Sequence, residues 1–207
     1  MIENKKVVGI LDYGLGNINS VQKALDFLNF KSLFVKTATD LDKLGTLIIP
    51  GVGTYAEAMH LLRDLNLIKP INKFAVSGNK IIGICLGMQI LSTKGYEPNE
   101  TFGLNLIPGE VIKLPDSKEH PTPHVGWNNI VNCQEQYNSF LLELDFYFIH
   151  SFHYVPENKE NILCTTEYGE KIVAAIKKNN IYGFQFHPEK SGEIGIKFLE
   201  NFVKDKD

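Results

Sequence analysis

The chain has 207 residues, 43% of them hydrophobic, and its 21 Lys and Arg against 24 Asp and Glu leave a net charge of −3. A chain of this length buries roughly 70% of its unfolded surface, so it needs neither a disulfide nor a structural metal to fold. Arg63 is the only arginine and no basic cluster is present, which argues against nucleic acid as a partner.

Three cysteines, Cys85, Cys133 and Cys164, occur in an odd number and without a C-x-x-C spacing. This pattern argues against a disulfide framework or a zinc knuckle and favours a reducing compartment. No apolar run approaches the ~18 residues of a membrane span, and the apolar segment near the start is too short for a signal peptide. We therefore expect a cytoplasmic protein without membrane contacts.

The first half of the chain alternates short β-branched runs with helical patterns, as parallel βαβ units do. Strands are predicted over residues 7–11, 33–35, 47–49 and 80–84, with a turn over 14–19. Helical spacing is found at Val21, Ala24, Leu25 and Leu28, and again at Ala58, Leu61, Leu62 and Leu65. A further helix is predicted over residues 86–91, directly after the fourth strand.

From about Gly103 the chain consists of short alternating segments separated by turn residues, which is typical of strands and hairpins. Strands are predicted over residues 146–149, 162–165, 172–176 and 181–186, before a closing helix that uses Ile194, Phe198 and Phe202. No repeat, low-complexity tract or linker divides the chain. The sequence therefore predicts one α/β domain over residues 1–207, with β-hairpins added in its second half.

Gly83-Ile84-Cys85-Leu86-Gly87 places a cysteine between a predicted strand and a predicted helix. This is the cysteine counterpart of the G-x-S-x-G nucleophile elbow, whose tight turn leaves no room for a Cβ at the two glycine positions. The amides at the start of the helix would favour a thiolate. Taken alone, the pattern fits equally well a small apolar residue that ends a core strand.

His187 and Glu189 are separated by one proline, so an extended backbone places both side chains on one face. The carboxylate can then hold one imidazole nitrogen while the other takes a proton. Together with Cys85 they supply the nucleophile, the base and the orienting group of a triad. A strand-end histidine with a solvated neighbour is the alternative, and the elbow makes it the weaker one.

No motif predicts a cofactor or a metal ion. Residues 12–17 resemble part of the G-x-G-x-x-G dinucleotide fingerprint, but its third glycine would fall at Asn19, and no P-loop motif occurs. The pairs His120 with His124 and His150 with His153 have spacings that a metal could use, but no third ligand completes either pair. We expect no NAD, ATP or metal site.

Five segments carry motifs that occur together in one known family. They lie at residues 50–53, 83–89, 123–128, 148–151 and 185–191, and read P-G-V-G, G-I-C-L-G-M-Q, P-H-V-G-W-N, F-I-H-S and Q-F-H-P-E-K-S. With D-Y-G-L-G-N at residues 12–17, they resemble the class I (triad) glutamine amidotransferases, and among these the glutaminase subunits of imidazole glycerol phosphate synthases. The resemblance implies an open, mostly parallel, flavodoxin-like sheet with flanking helices.

The resemblance also implies hydrolysis of glutamine to glutamate and ammonia. Cys85 would attack the side-chain amide carbon, and His187, oriented by Glu189, would carry the proton to the departing ammonia. Other members of the triad superfamily, such as the glutaminase of pyridoxal phosphate synthesis or a peptidase-like hydrolase, are disfavoured by P-H-V-G-W-N. The residues that match substrate-contacting positions of the family are Gln89, Glu97, His150, Ser151 and Phe152.

The oxyanion would be held by the backbone amide of Leu86 and by an amide of Val52 or Gly53. The two glycines of residues 50–53 would allow a peptide plane to turn toward or away from the oxyanion at low steric cost. We therefore expect partner and acceptor binding to raise the glutaminase rate. An ordinary turn with two glycines is the alternative for this segment.

The chain leaves no room for a domain that binds an ammonia acceptor, so the acceptor must lie on another chain. The resemblance implies a heterodimer with a (β/α)8-barrel synthase subunit that docks over the active site. The predicted interface or gate residues are Pro123, His124, Trp127 and Asn128. A buried core position is the alternative for Trp127.

Two acceptors remain open at this point. Phe152 stands where tyrosine more often follows Ser151 in the family, and the missing hydroxyl leaves histidine biosynthesis and surface-sugar biosynthesis as alternatives. A non-catalytic scaffold that regulates a barrel partner is a third interpretation. The intact set of Cys85, His187 and Glu189 argues against it.

Overall fold

A computed structural model describes residues 7–137, 141–142 and 144–204. The first elements in chain order are β1 (Val8–Leu11), α1 (Ile18–Phe27), β2 (Ser32–Val35), β3 (Thr46–Ile49), α2 (Tyr55–Asp64), α3 (Ile68–Val76), β4 (Lys80–Ile84) and α4 (Leu86–Gln89). A 3₁₀ turn at Ala38–Lys43 precedes β3. Each of the four predicted strands is present within one residue of its expected bounds.

The second half of the chain is dominated by strands. These are β5 (Lys94–Gly95), β6 (Thr101–Phe102), β7 (Gly109–Lys113), β8 (His124–Asn129), β9 (Asn132–Cys133), β10 (Asp145–His150), β11 (Phe152–Pro156), β12 (Ile162–Tyr168), β13 (Glu170–Lys178) and β14 (Ile181–Phe184), followed by the helix α5 (Gly192–Lys204). Short 3₁₀ turns lie at Glu135–Tyr137, Lys159–Asn161 and Pro188–Lys190. The predicted strand over 181–186 ends two residues early, where the chain bends before His187.

The main sheet has eight strands in the order β2-β1-β3-β4-β14-β13-β12-β9. The strands from β2 to β14 are parallel neighbours, whereas β14, β13, β12 and β9 pair antiparallel. The strand order places β4 and β14 side by side, in register from Ile181 opposite Ile81 to Phe184 opposite Ile84. The segments that follow these two strands therefore leave the sheet at the same edge. The predicted open, mostly parallel α/β fold is confirmed.

Two smaller sheets lie beside the main one. Strands β8 and β10 form an antiparallel pair, and β11, β7, β5 and β6 form a four-stranded sheet. Both come from the second half of the chain, where the sequence predicts added hairpins. The chain passes from β10 to β11 through Ser151 alone, so this residue joins the two smaller sheets.

The amphipathic stretch after β3 differs from its prediction. It forms two helices, because Asn66 adopts a left-handed φ of 56° and ends the first one, as residues at a helix C-terminus often do. The core face of α2 uses Tyr55, Ala58, Met59 and Leu62. The predicted position Leu61 is partly buried and packs against this core, whereas Leu65 is wrong, since it is 43% exposed beyond the end of α2.

Two element boundaries and one core position also differ from the sequence predictions. The turn over 14–19 is shorter than expected, because α1 begins at Ile18, and α4 is a single turn instead of a helix over 86–91. In α5, Phe198 and Phe202 are buried as predicted, whereas Ile194 is 40% exposed. Ile194 lies in the first turn of α5, outside the stripe that packs on the sheet.

Hydrophobic cores lie on both faces of the main sheet. One of them contains a group of aromatic side chains contributed by β10, β14 and α5. The ring of Phe186 stacks on Phe146 at a centroid distance of 4.1 Å and meets Phe198 edge to face at 5.1 Å. Because Phe186 directly precedes His187, this packing fixes the backbone that carries the histidine.

Within the described residues, no helix is both long and apolar enough to cross a membrane.

Candidate active site

Cys85 lies at the corner between β4 and α4 with φ 55° and ψ −113°, outside the regions that L-residues prefer. Neighbouring glycines make this corner sterically accessible. A Cβ on Gly83 would lie 2.5 Å from the carbonyl oxygen of Gly87, and a Cβ on Gly87 would lie 1.7 Å from that of Ile49. The close backbone approach that the sequence predicts for a nucleophile elbow is present.

The Cys85 thiol is buried and has two polar neighbours. Its Sγ lies 3.7 Å from the carbonyl oxygen of Ile149 in β10 and 3.7 Å from Nε2 of Gln185. A carbonyl acceptor near the end of β10 and an amide donor just after β14 therefore contact the sulfur. Neither neighbour has a local motif that predicts this contact.

His187 and Glu189 follow β14 and meet as the sequence predicts. Nδ1 of His187 lies 2.8 Å from Oε1 of Glu189, and each side chain is only 2% exposed. Burial by itself lowers the pKa of His187, but its interactions with the Cys85 side chain and with Glu189 outweigh burial and raise the pKa to about 10. In the described chain, Nε2 of His187 has no hydrogen-bond partner, so this nitrogen is available for proton transfer. The imidazole thus interacts with the thiol on one side and the carboxylate on the other, which is the order of a triad.

Ser191 connects the backbone at His187 to β10 through hydrogen bonds. Its hydroxyl donates to the carbonyl of His187 at 2.7 Å and accepts from the amide of Tyr147 at 3.0 Å. The amide of His187 donates to the carbonyl of Tyr147 at 2.9 Å. Ser191 belongs to the Q-F-H-P-E-K-S segment, but a contact to a distant strand leaves no signal in the sequence.

A cavity of about 220 Å³ opens beside Cys85. This is smaller than the ~300–1,000 Å³ of pockets for drug-sized ligands, so it suits a small substrate. The lining residues are Val52, Gly53, Cys85, Leu86, Gln89, Glu97, Ile149, His150, Ser151, Phe152, His187 and Lys190. All the residues predicted for the oxyanion and for substrate binding line this one cavity, whereas Glu189 lies behind His187.

The predicted oxyanion amides belong to Leu86, Val52 and Gly53. None of the three donates a hydrogen bond to the part of the chain that the structure describes. Gly53 has φ +107°, a conformation that favours glycine, and Val52 is 41% exposed. This segment therefore has free donors and room to turn.

A buried tyrosine anchors the start of the same segment. The hydroxyl of Tyr13 donates to the carbonyl of Pro50 at 2.9 Å, and a Cβ on Gly51 would lie 2.8 Å from that hydroxyl. Burial, with a smaller contribution from Cys85, raises the pKa of Tyr13. The pattern of residues 12–17 gives no sign of this contact, because Tyr13 and Pro50 are 37 residues apart.

The family model of the class-I glutamine amidotransferases matches residues 9–206. This chain belongs to that family. The amidotransferase is also similar to curated proteins over nearly its whole length. It is 41% identical to "Imidazole glycerol phosphate synthase subunit HisH 1" of Legionella pneumophila (strain Lens), over 95% of this chain and 98% of that protein. It is 42% identical to "Imidazole glycerol phosphate synthase subunit HisH" of Aquifex aeolicus (strain VF5), over 94% and 95%.

Solved structures share the fold. A chain from "Structure of PurLQS from Thermotoga maritima" superposes with a TM-score of 0.75 at 20% identity and covers 96% of this chain and 98% of that one. A chain from "Crystal structure of glutamine amidotransferase" superposes with a TM-score of 0.73 at 18% identity and covers 95% and 97%. At these identities the likeness supports the fold alone.

Two glutamine side chains form a buried link under the cavity of the amidotransferase. Nε2 of Gln89 donates to the carbonyl of Phe152 at 2.9 Å and to Oε1 of Gln185 at 3.0 Å. Gln185 in turn contacts Cys85 through its own Nε2. The amide nitrogen of Gln89 is therefore committed to the fold, and Oε1 is the atom of this side chain left for a ligand.

Glu97 lines the cavity and caps a helix at the same time. Its Oε2 accepts from the amide of Tyr55, the first residue of α2, at 3.1 Å, and its carbonyl accepts from the amide of Ala56 at 3.1 Å. Burial raises the pKa of Glu97, and the hydrogen bond from Tyr55 opposes this effect. The carboxylate thus has one oxygen used by the fold and the other available.

The predicted interface residues separate into exposed and buried ones. Pro123 is exposed and Trp127 is 59% exposed, so the alternative of a buried core tryptophan is wrong. His124 is buried, and its ring stacks on Phe148 and Tyr168 at centroid distances of 4.8 and 4.0 Å. His124 therefore offers no surface for direct contact with a partner.

Among the described residues, no group of three or more His, Cys, Asp or Glu side chains has an arrangement that could hold a metal ion. His124 and His150 come from the two different pairs whose spacings a metal could use. Instead, the ring of His124 is hydrogen-bonded to that of His150.

Proposed function

We propose that this chain is the glutaminase subunit of an imidazole glycerol phosphate synthase. It hydrolyses glutamine to glutamate and ammonia and passes the ammonia to a (β/α)8-barrel subunit that binds the acceptor. The observation that carries the activity is the elbow cysteine, which lines a small cavity together with His187, whose ring is held by Glu189. The names of relatives about 40% identical over nearly the full length support this particular synthase.

The proposed reaction begins with attack of the Cys85 sulfur on the side-chain amide carbon of glutamine. The thiol proton passes to Nε2 of His187 and from there to the amide nitrogen, so that the C–N bond breaks and ammonia leaves. A thioester to Cys85 remains. His187 then removes a proton from water, whose oxygen attacks the thioester, and glutamate and the free thiol are formed. Glu189 holds Nδ1 of His187 throughout.

The negative charge that develops on the amide oxygen is proposed to be stabilised by backbone donors. Leu86 supplies one amide at the start of α4, and Val52 or Gly53 supplies another. Support comes from their position at the cavity and from the absence of other hydrogen bonds to these amides in the described chain. A preorganised donor of this kind contributes ~10²–10³ to the rate.

Substrate selection is proposed to use the side chains of Gln89 and Glu97 and the segment from His150 to Phe152. Oε2 of Glu97 is held at the start of α2, so the carboxylate is oriented for the α-amino group of glutamine. Phe152 contributes its backbone carbonyl to the cavity wall, and this contact needs no tyrosine hydroxyl. The departure at Phe152 therefore leaves the proposed glutamine contacts intact.

The barrel partner is proposed to dock on the outer face of β8 and β10. Val125 and Trp127 of β8 pair with Ile149 and Tyr147 of β10, and Trp127 is the most exposed of the apolar side chains on this face. Ile149 also lines the cavity, so a partner seated here covers its mouth. Pro123 directly precedes β8, and Asn128 lies within it. We further propose that residues 1–207 act as one catalytic domain in the cytoplasm.

The test uses the complex of this chain with its candidate barrel subunit and a phosphoribosyl-type acceptor of histidine biosynthesis. Cys85→Ala should abolish synthesis from glutamine, whereas synthesis from added ammonium salt should persist, because the acceptor chemistry belongs to the partner. Cys133→Ala is the matched control and should keep both activities. Loss of both activities in a folded, partner-bound Cys85→Ala variant would contradict the proposal.

The acceptor is tested separately in the same complex. Ammonium-dependent turnover of the histidine-pathway acceptor supports the proposed synthase. Turnover of a surface-sugar precursor instead, with no turnover of the histidine-pathway acceptor, would assign this chain to the alternative pathway.

A further inference from the structure

A row of hydrogen bonds leads from β8 into the wall of the active-site cavity. Nδ2 of Asn128 lies 3.3 Å from Nε2 of His124, and Nδ1 of His124 lies 3.1 Å from Nε2 of His150. Nδ1 of His150 lies 2.9 Å from the carbonyl oxygen of Phe152. We call Asn128, His124, His150 and this carbonyl the histidine relay.

The relay has one consistent direction. A carbonyl oxygen only accepts, so Nδ1 of His150 carries the hydrogen and its Nε2 is the acceptor. His124 must then donate from Nδ1 and accept at Nε2 from the amide group of Asn128. Burial lowers the pKa of His124 to about 4 and that of His150 to about 3, which agrees with two neutral rings.

The orientation of Asn128 is independently determined. Its Oδ1 accepts from the backbone amide of Asn129 at 2.9 Å, and its Nδ2 donates to the carbonyl of Glu167 at 2.8 Å. The amide nitrogen therefore points toward His124 without ambiguity. The outer end of the relay is fixed by the backbone of β8 and β12.

The inner end of the relay reaches the nucleophile. The Phe152 carbonyl that accepts from His150 also accepts from Gln89, and Gln89 is linked through Gln185 to the sulfur of Cys85. The wall of the cavity is thus held from both sides by hydrogen bonds. One side leads to the strand that carries exposed Trp127.

We propose, on the basis of the glutaminase function above, that His124 and Asn128 are positioning residues for glutamine. They hold His150 and the Phe152 carbonyl in place at the cavity wall, and they connect the strand of the partner face to the substrate site. His124 acts through donation from Nδ1, and Asn128 orients His124. Neither residue touches the reacting atoms.

The alternative is that His124 only fills space between Phe148 and Tyr168. Two substitutions separate these roles. His124→Phe keeps an aromatic ring between the two neighbours but removes both hydrogen bonds. His124→Asn loses the ring but places an amide donor near the position of Nδ1, so it can still donate to His150.

The experiment measures KM and kcat for glutamine in the complex with the barrel subunit, with ammonium-dependent synthesis as the control. His124→Phe should raise KM about tenfold, with a smaller change in kcat, because the cavity wall loses its support. His124→Asn should lie closer to wild type. Ammonium-dependent synthesis should be equal in all three proteins.

A purely space-filling role predicts the reverse order, with His124→Asn worse than His124→Phe, and that result would overturn the proposal. Equal KM values in all three proteins would also overturn it. If Cys85→Ala behaves as expected while this order fails, the relay alone is refuted. Retention of glutamine-dependent synthesis by Cys85→Ala would instead refute the proposed function.

A second measurement uses the wild-type chain, so it does not depend on whether the variants fold. In the wild-type chain with ¹⁵N-labelled histidine, NMR at neutral pH should show Nδ1–H and unprotonated Nε2 for both His124 and His150. This is the less common tautomer of free histidine. The Nε2–H tautomer or a charged ring at either position would contradict the relay.

Discussion

Two glycines of the amidotransferase, Gly87 at the elbow and Gly78 after α3, are needed for different reasons. Gly87 has no left-handed φ, yet a Cβ there would meet the carbonyl oxygen of Ile49 at 1.7 Å. Gly78 has φ +82° and open space around it. At Gly87 the neighbouring backbone leaves no space for a Cβ. At Gly78 there is space, and only the positive φ favours glycine.

Gly87→Ala should therefore be far more harmful than Gly78→Ala. The backbone of β3 cannot move away, so α4 must shift. We expect the free energy of unfolding to fall by about 3 kcal/mol or more. We also expect glutaminase activity to be lost. Gly78→Ala should cost about 1 kcal/mol from strain and leave activity unchanged. Denaturant unfolding and glutamine turnover of both variants test this. Similar losses in the two would show that the elbow tolerates a methyl group.

At this scale, the sequence predicts the chemistry of residues that have a local pattern. The spacing around Cys85 and between His187 and Glu189 is readable, since a strand-turn-helix corner and an H-P-E step impose geometry over a few residues. The contacts of Tyr13, Gln185 and Ser191 are not readable. Each joins segments 37 or more residues apart.

Among the elements, β8, β10 and β11 each carry a buried histidine, namely His124, His150 and His153. Burial lowers the pKa of all three, to about 4 for His124 and about 3 for His150. Their folded pKa values lie below the unfolded value of about 6.5, so the unfolded chain takes up protons first as the pH falls. The contribution of these neutral histidines to the free energy of unfolding is present above pH ~6.5. It is lost as the pH falls toward their pKa values in the folded protein.

We therefore expect the free energy of unfolding to decrease between pH 6.5 and pH 5 by roughly 1.4 kcal/mol per pH unit for each such histidine. Urea unfolding at pH 7.5, 6.0 and 5.0 measures the slope. His124→Phe should reduce the slope by about 1.4 kcal/mol per pH unit, the equivalent of one proton. The raised pKa of His187 affects stability above pH ~6.5, so the decisive comparison lies below it. Unchanged stability between pH 6.0 and pH 5.0 would contradict the lowered pKa values of these three rings.

Element types were predictable where apolar periodicity is long and uninterrupted, as in β4 and α5. The division of the stretch after β3 into α2 and α3 was not, because apolar residues continue through Leu65 and Leu67 without a proline or glycine between them. A left-handed Asn66 makes the break. Asparagine tolerates this conformation, but its presence alone does not require it.

For the whole molecule, the arrangement around residues 50–53 offers a means of coupling. Tyr13 anchors the carbonyl of Pro50, and Gly51 is tightly packed, whereas Val52 is 41% exposed and Gly53 adopts a left-handed φ. Only the second half of the segment is free to turn. It borders both the cavity and the proposed partner face.

We expect glutamine turnover to be slow in the free subunit and faster in the complex. When the acceptor is also bound and one oxyanion donor turns into place, turnover should be ~10²–10³ faster than in the free subunit. The increase should appear mainly in kcat, because the donor acts on the transition state. Gly53→Val should weaken this stimulation. Turnover numbers for the three states, with partner binding as the control, test the coupling. Equal kcat values in all three states would refute it.

Taken by itself, the sequence determined the alternation of strands and helices in the first half, the family and the spacing of the candidate triad, because each of these rests on patterns over short stretches of chain. Only the tertiary structure decided which distant residues meet. It placed β4 beside β14, so that Cys85 and His187 leave neighbouring strands at the same edge. It also buried His124 against His150 while leaving Trp127, three residues later, exposed. Both outcomes depend on strand order and pairing, and a single chain's local pattern carries no information about its neighbours in space.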